Sequence, residues 1–353
     1  MQRFAWQSAR TVAEAATLAR RTVAETMLAP VADGDVSPPR AGDVVLKAGG
    51  IDLLDLMKED LLHPARVVNL RAIPGLDGIS EDASGVRIGA LATLEQVAAH
   101  PGLRQRYAAL ADAAASSASP QIRHVATLGG NLLQRPRCWY FRSVAHRCAR
   151  KGGAVCFAFA GENQYHAVFG QLGCAMVQPS TAATALAAFN ARVELVDAQG
   201  ATRLVLLRDF MVGPGTDVTR ETDLRAGEIL TAILLPPMAP GACSAFLKQA
   251  EKPSFDWSIA DVAVVLERAA DGRCARASVV LGAAAPVPWR AVPAEAALAG
   301  QVIDANVAAA AGRAAVAGAV PLAHNGYKLP ILATLVRRAV LRAVGATDQE
   351  NAP

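Results

Sequence analysis

Short apolar runs separated by glycine and proline alternate along the chain with stretches of helical periodicity. The strand-like runs are residues 44–47, 67–70, 86–88, 259–266 and 277–282, and the helical ones are residues 11–22, 53–58, 93–100, 306–317 and 329–344. Residues 29–42, rich in Pro, Gly and Asp, are typical of an exposed loop. Beyond residue 237 two strands flank an Asp271-Gly272 turn, and alanine-rich helices follow. This pattern predicts mixed helix and strand, with a domain boundary near residue 238.

Composition allows a large core and gives little reason to expect a polyanionic partner. Hydrophobic residues make up 52% of the 353 positions and charged residues only 19%. A chain of this length suffices for two domains, and its low charge favours a surface partly covered by other proteins. The net charge of +4 comes from scattered basic residues. We therefore predict no nucleic-acid partner.

The first twenty residues lack the continuous apolar segment of a secretory signal. The longest uncharged stretch, residues 167–191, is interrupted by Gly, Gln, Pro, Ser and Thr, so it is a poor membrane span. We predict a protein that does not span a membrane and lies in the cytoplasm. Export in the folded state, attached to a signal-bearing partner, is the alternative and would place it in the periplasm.

Two segments carry paired glycines, Gly49-Gly50 and Gly129-Gly130. Glycine lets backbone N–H groups approach an anion closely, and a helix that starts after such a turn favours a pyrophosphate. Neither segment is a GxGxxG fingerprint or a Walker loop. Taken singly, each is also compatible with an ordinary tight turn.

Four of the six cysteines lie within one region, Cys138, Cys148, Cys156 and Cys174. Their spacing matches neither a zinc ribbon nor the bacterial ferredoxin run. Nearby basic residues favour thiolates, but spacing alone leaves ordinary cysteines or disulfides, a zinc site and an iron–sulfur cluster all open. Cys243 and Cys274 stand apart, and we predict that they are small buried hydrophobic residues.

Four segments in the same order carry a family resemblance. AGGIDLLDLMK, QIRHVATLGGNLLQ, the element beginning Pro179-Ser180-Thr181, and the stretch ending Pro288-Trp289-Arg290 resemble the FAD-binding (medium) subunits of the xanthine dehydrogenase and molybdenum hydroxylase family. The resemblance implies an α+β fold. Residues 1–237 would form a two-subdomain FAD-binding domain of the vanillyl-alcohol-oxidase (PCMH) type, with subdomains at about 1–63 and 64–237. Residues 238–353 would form a C-terminal α+β domain of the CO dehydrogenase flavoprotein type.

The resemblance also implies cofactor-binding residues. The pyrophosphate and adenine side of FAD would be held by Lys47, Ala48, Gly49, Gly50, Ile51, Asp52 and Leu53. Pyrophosphate and ribityl contacts would come from Thr127, Gly129, Gly130 and Asn131, with Ser180 and Thr181 near the ribityl and adenosine, His124 beside the second turn and Lys252 near the isoalloxazine. The chain departs from the family pattern at three positions, Ile51, His124 and Thr181. Two of these, Ile51 and Thr181, remove polar partners for FAD, each bond being worth about 0.5–1.5 kcal/mol.

Residues 135–175 resemble an insert found in the FAD subunits of bacterial aldehyde-oxidising molybdenum hydroxylases. In that branch four cysteines at matching positions hold a [4Fe-4S] cluster, and all four positions are filled here by Cys138, Cys148, Cys156 and Cys174. The resemblance therefore implies a cluster on this chain. For His146 and His166, which lie between these cysteines, we expect a structural or surface role.

The family resemblance implies an electron-transfer subunit of an oxidoreductase complex. Substrate, an aldehyde in this branch, would be oxidised at a molybdenum cofactor on a large partner subunit. Electrons would pass through [2Fe-2S] centres on a small partner to the FAD here, and then to an external acceptor. Two alternatives stay open: a flavin-free scaffold or assembly subunit, and a stand-alone flavin oxidase.

Overall fold

The N-terminal part of the chain forms a small parallel sheet. The computed structural model describes residues 2–28, 43–252 and 255–346, so the predicted loop at residues 29–42 lies outside the described residues. The sheet consists of β1 (Ala5–Ser8), β2 (Val44–Lys47) and β3 (Arg66–Asn69), with β3 in the centre. Parallel neighbours need long crossovers, which contain the helices α1 (Val12–Leu18), α2 (Val23–Met27) and α3 (Ile51–Lys58).

The helix predicted at residues 11–22 is too long. Helix α1 ends at Leu18, and Thr22 starts α2 through a capping box with Glu25. The Thr22 hydroxyl accepts a bond from the Glu25 backbone N–H, and the Glu25 carboxylate accepts one from the Thr22 N–H. A strong start signal inside an amphipathic pattern thus divides it into two helices.

The second unit is a five-stranded antiparallel sheet with a long excursion of helices. Its strands are β4 (Ile79–Asp82), β5 (Gly85–Gly89), β6 (Arg192–Val196), β7 (Thr202–Leu206) and β8 (Ile229–Leu235), in the spatial order β4-β5-β8-β6-β7. Its helices are α4 (Leu94–Ala99), α5 (Pro101–Arg106), α6 (Ala108–Ala115), α7 (Pro120–Arg123), α8 (Leu128–Leu132), α9 (Trp139–Arg142), α10 (Thr181–Ala188) and α11 (Leu207–Phe210). The excursion between β5 and β6 carries the second glycine turn and the four clustered cysteines.

The third sheet is antiparallel and lies in the C-terminal part of the chain. Its strands are β9 (Cys243–Gln249), β10 (Ala260–Arg268), β11 (Cys274–Gly282) and the short β12 (Trp289–Arg290), and three helices follow, α12 (Val292–Leu298), α13 (Ala305–Ala315) and α14 (Lys328–Ala343). The predicted α+β class is confirmed. No helix in the described ranges is long and apolar enough to cross a bilayer.

Strand β10 is buried on both faces because the third sheet lies between two layers of helices. Side chains alternate along a strand, so Val262 and Val264 join one hydrophobic cluster with α13 and α14. Ala263 and Val265 point the other way, into the cluster that contains α6 and α10. The C-terminal sheet is therefore continuous in packing with the helices of the second unit. Of the two isolated cysteines, Cys274 is buried as predicted and Cys243 only partly so.

Candidate functional site

A cleft of about 590 Å³ lies between the N-terminal sheet and the second unit. Its walls include the β2–α3 connection, the start of α8, residues 219–222 and residues 255–258. Both glycine turns line it. The fold thus brings together two motifs that are far apart in sequence, as a shared cofactor requires.

The first glycine turn is built to leave backbone donors free. Gly50 has φ of 88°, in the left-handed region that side chains disfavour, and it begins α3 with no side-chain cap. The first N–H groups of a helix have no partner within the helix, so an uncapped start attracts an anion. A Cβ on Gly49 would lie 2.3 Å from the Val125 carbonyl oxygen, so only glycine allows the two loops to meet here.

The second glycine turn has already used its donors. Gly129 N–H donates to the Ala90 oxygen at 2.8 Å, Gly130 N–H to Thr127 Oγ1 at 3.1 Å, and Asn131 N–H to the Thr127 oxygen at 2.8 Å. A Cβ on Gly129 would lie 2.9 Å from both Cβ and O of Ala90. These glycines therefore provide close packing and a smooth wall to the cleft, while the anion-binding donors belong to the first turn.

A cation accompanies the first turn. The Lys47 side chain folds over Gly50, where an added Cβ would come within 2.6 Å of Lys47 Cε. Its ammonium lies 5.6 Å from the centre of the Trp6 ring. Burial, together with the nearby charge of Arg71, lowers the pKa of Lys47. A partly buried ammonium beside an uncapped helix start is a suitable environment for a pyrophosphate.

The polar residues expected near ribityl and adenosine are engaged within the protein. Ser180 Oγ donates to Asn131 Oδ1 at 2.5 Å and caps α10. The Thr181 hydroxyl bonds with Ser117 Oγ at 2.6 Å and with the Ala113 oxygen at 2.9 Å. Thr181 lines the cleft, whereas Ser180 is not among the residues that line it.

Besides Ser180, two further expected cofactor residues lie outside the cleft lining. His124 is exposed and its Nδ1 contacts the Pro120 oxygen at 2.8 Å. Lys252 is also exposed and faces a neighbouring hollow. Lys248 lines the cleft instead. Lys248 is on strand β9, and the pairing of β9 with β10 positions its side chain at the cleft. The sequence around Lys248 does not predict this position.

The cleft rim holds an aromatic and cationic pair that neither motif predicts. The Arg137 guanidinium lies 4.6 Å from the centre of the Trp257 ring. Both residues line the cleft. They come from different parts of the chain, the cysteine-rich segment and the β9–β10 connection. A flat cation on an aromatic ring gives this end of the cleft a surface suited to a planar heteroaromatic group.

The four cysteine thiols come together beside this cleft. Burial raises the pKa of Cys138 to about 11, and the neighbouring Cys174 and Cys148 contribute to the rise. The neighbouring Cys174 thiol raises the pKa of Cys156, and the Cys156 thiol in turn lowers that of Cys174. The four cysteines, although distant in sequence, thus influence one another's pKa values, with Cys138 acted on by Cys148 and Cys174, and Cys156 by Cys174.

Backbone N–H groups face the sulfurs. Those of Phe141 and Tyr140 act on Cys138, and that of Met176 acts on Cys174; each lowers the pKa of its thiol, while burial acts in the opposite direction. Short helical turns after Cys138, Cys148 and Cys156 produce such an arrangement. N–H donors directed at sulfur are typical of cysteines that bind metal as thiolates.

A buried charge network adds positive charge to this region. Arg135 and Arg150 are 3% and 1% exposed and share the single carboxylate of Glu221, at 2.5 and 2.6 Å. Burial lowers the pKa of Arg150, but Glu221 and Cys174 together outweigh it and raise the pKa. Nε and Nη2 of Arg150 are buried and have no hydrogen-bond partner among the described residues. Two guanidiniums with one carboxylate leave an excess cation facing the thiols, which suits a negatively charged group held by them.

His166 lies within the cysteine group. Its Nε2 is 3.2 Å from Cys138 Sγ, and its ring packs edge-on to Trp139 at 5.0 Å. Burial first, and the Lys328 ammonium second, lower the pKa of His166 to about 4, so the ring is neutral at pH 7. His146 packs on Tyr140 instead and bonds Ser143 Oγ. The sequence predicts a structural or surface role for both histidines; the contact of His166 with a cysteine sulfur is an additional feature that it does not predict.

Asp52 joins the cleft to the cysteine segment. One carboxylate oxygen accepts from Arg137 at 2.9 Å and from Arg142 at 2.6 Å, and the other from the Arg135 backbone N–H at 2.8 Å. The side chain is thus occupied by protein donors, although its residue lines the cleft. We conclude that Asp52 orients α3 relative to the insert.

Within residues 2–28, 43–252 and 255–346, no three His, Cys, Asp or Glu side chains are arranged to hold one metal ion. In a four-iron cluster each cysteine binds a different iron, so its sulfurs stand farther apart than those around a single ion.

Comparison with known families identifies both halves of the chain. The model of the FAD binding domain in molybdopterin dehydrogenase matches residues 2–238. The model of the CO dehydrogenase flavoprotein C-terminal domain matches residues 244–343.

Individual relatives agree with these matches. The chain is 36% identical over 301 residues to the aldehyde oxidoreductase FAD-binding subunit PaoB of Escherichia coli, covering 84% of this chain and 91% of the relative. It is 29% identical over 300 residues to the carbon monoxide dehydrogenase medium chain of Afipia carboxidovorans, covering 84% and 87%. A solved structure of carbon monoxide dehydrogenase from Hydrogenophaga pseudoflava superposes with a TM-score of 0.70 at 27% identity and covers 98% of both chains.

The bonds of Asp52 generate a stability prediction. The change Asp52→Asn replaces a charged acceptor of three donors, and we expect it to lower the free energy of unfolding by about 2 kcal/mol or more. The matched control is Asp55→Asn on the same helix. Asp55 is 41% exposed and, among the described residues, pairs with Arg137 alone, so it should contribute below about 1 kcal/mol. Urea unfolding followed by tryptophan fluorescence measures the free energy of unfolding of both variants. Equally small losses in the two variants would contradict the role of Asp52 in joining α3 to the insert.

Proposed function

This chain belongs to the family of FAD-binding subunits of molybdenum hydroxylases, and we propose that it carries FAD together with a [4Fe-4S] cluster in an aldehyde oxidoreductase complex. A large partner subunit with the molybdenum cofactor would oxidise the aldehyde. A small partner with [2Fe-2S] centres would deliver the electrons to this chain, which passes them to an external acceptor. The resemblance to PaoB, named as an aldehyde oxidoreductase subunit, favours aldehydes among the family substrates.

The observation that carries the proposal is the adjacency of two sites, an anion-binding cleft and a group of four thiols, joined by Asp52. When bound, FAD accepts electrons one at a time and releases them in pairs. The uncapped start of α3 and the Lys47 ammonium would hold the pyrophosphate. Thr127, Gly129 and Gly130 would form the facing wall, and Arg137 with Trp257 would border the planar end. His124 and Lys252 stay predictions from the sequence, since both lie outside the cleft lining.

Cys138, Cys148, Cys156 and Cys174 would hold the cluster, which supplies a one-electron carrier when bound. Supporting features are the backbone N–H groups facing the sulfurs and the excess cation of the Arg135–Glu221–Arg150 network. Within the segment that carries the cysteines, Trp139 packs edge-on against Tyr140, and Phe157 stacks on Tyr140. These residues bind the cluster and balance its charge, and the proposal assigns no acid or base role to this chain.

We propose, in addition, a domain boundary, a location and two alternative functions. We place the domain boundary near residue 238, in the connection between β8 and β9. A cytoplasmic location, with periplasmic co-export as the alternative, rests on the sequence alone. The flavin-free scaffold is the second candidate function, because Ile51 occupies the first position of α3 and Thr181 turns its hydroxyl into the protein. The stand-alone flavin oxidase is the third.

Flavin content tests the cleft. We expect Gly49→Ala to weaken FAD binding by about 1–3 kcal/mol, because its Cβ would collide with the Val125 backbone and move the first turn. Gly78→Ala is the control, since nothing lies within 4 Å of an added Cβ there. Absorbance near 450 nm against protein concentration gives the flavin per chain (~450 nm is a general property of oxidised flavin). Undiminished flavin in Gly49→Ala would contradict the cleft assignment, and a wild-type chain without flavin would favour the scaffold.

Iron content tests the cysteines. We expect about four irons per chain, lost in Cys156→Ser and retained in Cys274→Ser, which alters a buried thiol in the third sheet. Iron analysis and electron paramagnetic resonance (EPR) of the reduced complex give the readouts. A wild-type complex with FAD but no iron on this chain would overturn the cluster and leave the flavin assignment intact.

Turnover distinguishes the complex from a stand-alone oxidase. The isolated chain should not oxidise aldehydes, because the reacting centre lies on the partner subunit. The complex that co-purifies with a large molybdenum subunit should oxidise them with an added electron acceptor. Steady turnover of aldehyde by the isolated flavoprotein would refute the proposed division of roles.

A further inference from the structure

We infer that His166 donates a hydrogen bond from Nε2 to the Cys138 thiolate of the cluster and thereby raises the reduction potential of the cluster. The inference rests on the proposed [4Fe-4S] site. It makes His166 a positioning residue for electron transfer that binds neither iron nor flavin. Its geometric basis is the distance of 3.2 Å from Nε2 to Cys138 Sγ.

The direction of this bond follows from the chemistry of the two groups. A thiolate that binds iron carries no proton, so the imidazole must supply the hydrogen. The other ring nitrogen, Nδ1, is buried and makes no well-aligned hydrogen bond among the described residues, while the Asn163 backbone near the ring acts to raise the pKa of His166. The tautomer with its proton on Nε2 directs that hydrogen at Cys138 Sγ and leaves a lone pair on Nδ1.

The ring and the backbone of His166 are both held in place. The ring packs edge-on to Trp139 at 5.0 Å and lies 6.2 Å from Tyr140. The carbonyl oxygen accepts from Lys328 Nζ at 3.0 Å and from Asn325 Nδ2 at 3.1 Å. Lys328 and Asn325 are fully buried at and just before the start of α14. The residues around the start of the C-terminal helix thus fix the backbone of the residue whose ring contacts Cys138.

The sign of the effect follows from charge. Reduction adds one negative charge to a cluster, and an N–H donor at a ligand sulfur stabilises the more negative state. Removal of the donor should therefore make the cluster harder to reduce. We expect at least a tenfold change in the reduction equilibrium, which equals 59 mV for one electron.

The test compares two histidines of the same insert. His166→Phe keeps an aromatic ring against Trp139 and removes the donor. His146→Phe is the matched control, because His146 also packs on Tyr140 but bonds Ser143 Oγ. Redox titration of the purified complex, followed by the EPR signal of the reduced cluster, should show the potential of His166→Phe lower by at least 59 mV and that of His146→Phe unchanged. His166→Gln, which restores an N–H donor, should recover part of the shift.

Several outcomes would overturn the inference. An assembled cluster in His166→Phe with the wild-type potential would do so, and equal shifts in both phenylalanine variants would reduce His166 to a packing role. If His166→Phe loses its iron, the wild-type complex labelled with ¹⁵N-histidine decides. Pulsed EPR should show a weak nitrogen coupling that persists in His146→Phe; no coupling, or one large enough for an iron–nitrogen bond, refutes the inference. A wild-type complex without iron instead refutes the cluster itself.

Discussion

The carboxylate of Asp52 connects the two halves of the site. It accepts bonds from Arg137, Arg142 and the Arg135 backbone, and all three donors lie near the start of the cysteine insert. Because Asp52 is in the first turn of α3, these bonds also set the direction of the helix start that faces the cleft. The side chain of Arg135 in turn forms an ion pair with Glu221. A displaced carboxylate would therefore disturb both the start of α3 that faces the cleft and the segment that carries the cysteines.

The opposite side of the insert is held by the C-terminal part of the chain. Asn163 accepts a bond from the His324 backbone N–H, and Asn325 and Lys328 donate to the backbone of residues 165–167. Lys328 is completely buried, and burial lowers its pKa to about 7 although Asp261 acts against this. A buried ammonium is costly unless its hydrogens are bonded. Here carbonyl oxygens from the insert and from Ala283 satisfy it, so the cost of burial is offset only when the insert is in place.

Local patterns predicted the elements well and the network poorly. The sequence predicts strand β2 with its observed bounds, and β10, β11, α13 and α14 within a few residues of theirs. Apolar runs and helical periodicity predict such elements because they follow the burial of side chains, as in β10 and α14. Glu221 carries no such signal, because its partners lie 71 and 86 residues earlier in the chain. His124 and Lys252 were placed by motif similarity, which fixes sequence neighbourhood but not side-chain direction. Only tertiary packing places Lys248, Trp257 and the His166 ring.

The two glycine turns show how far a motif can be interpreted. In sequence both turns are a Gly-Gly pair, followed by Ile51 in the first turn and by Asn131 in the second. Only the first turn leaves its backbone N–H donors without a cap. The difference lies in the helix cap. Thr127 begins α8 and binds Gly130 N–H through its own hydroxyl, whereas Gly50 begins α3 and has no side chain to offer. Since a capped helix start has less to give an anion than an uncapped one, the cap residue separates the two turns. A threonine in place of Gly50 would have to adopt a left-handed backbone and displace Lys47, so it would remove the donors and the cation together.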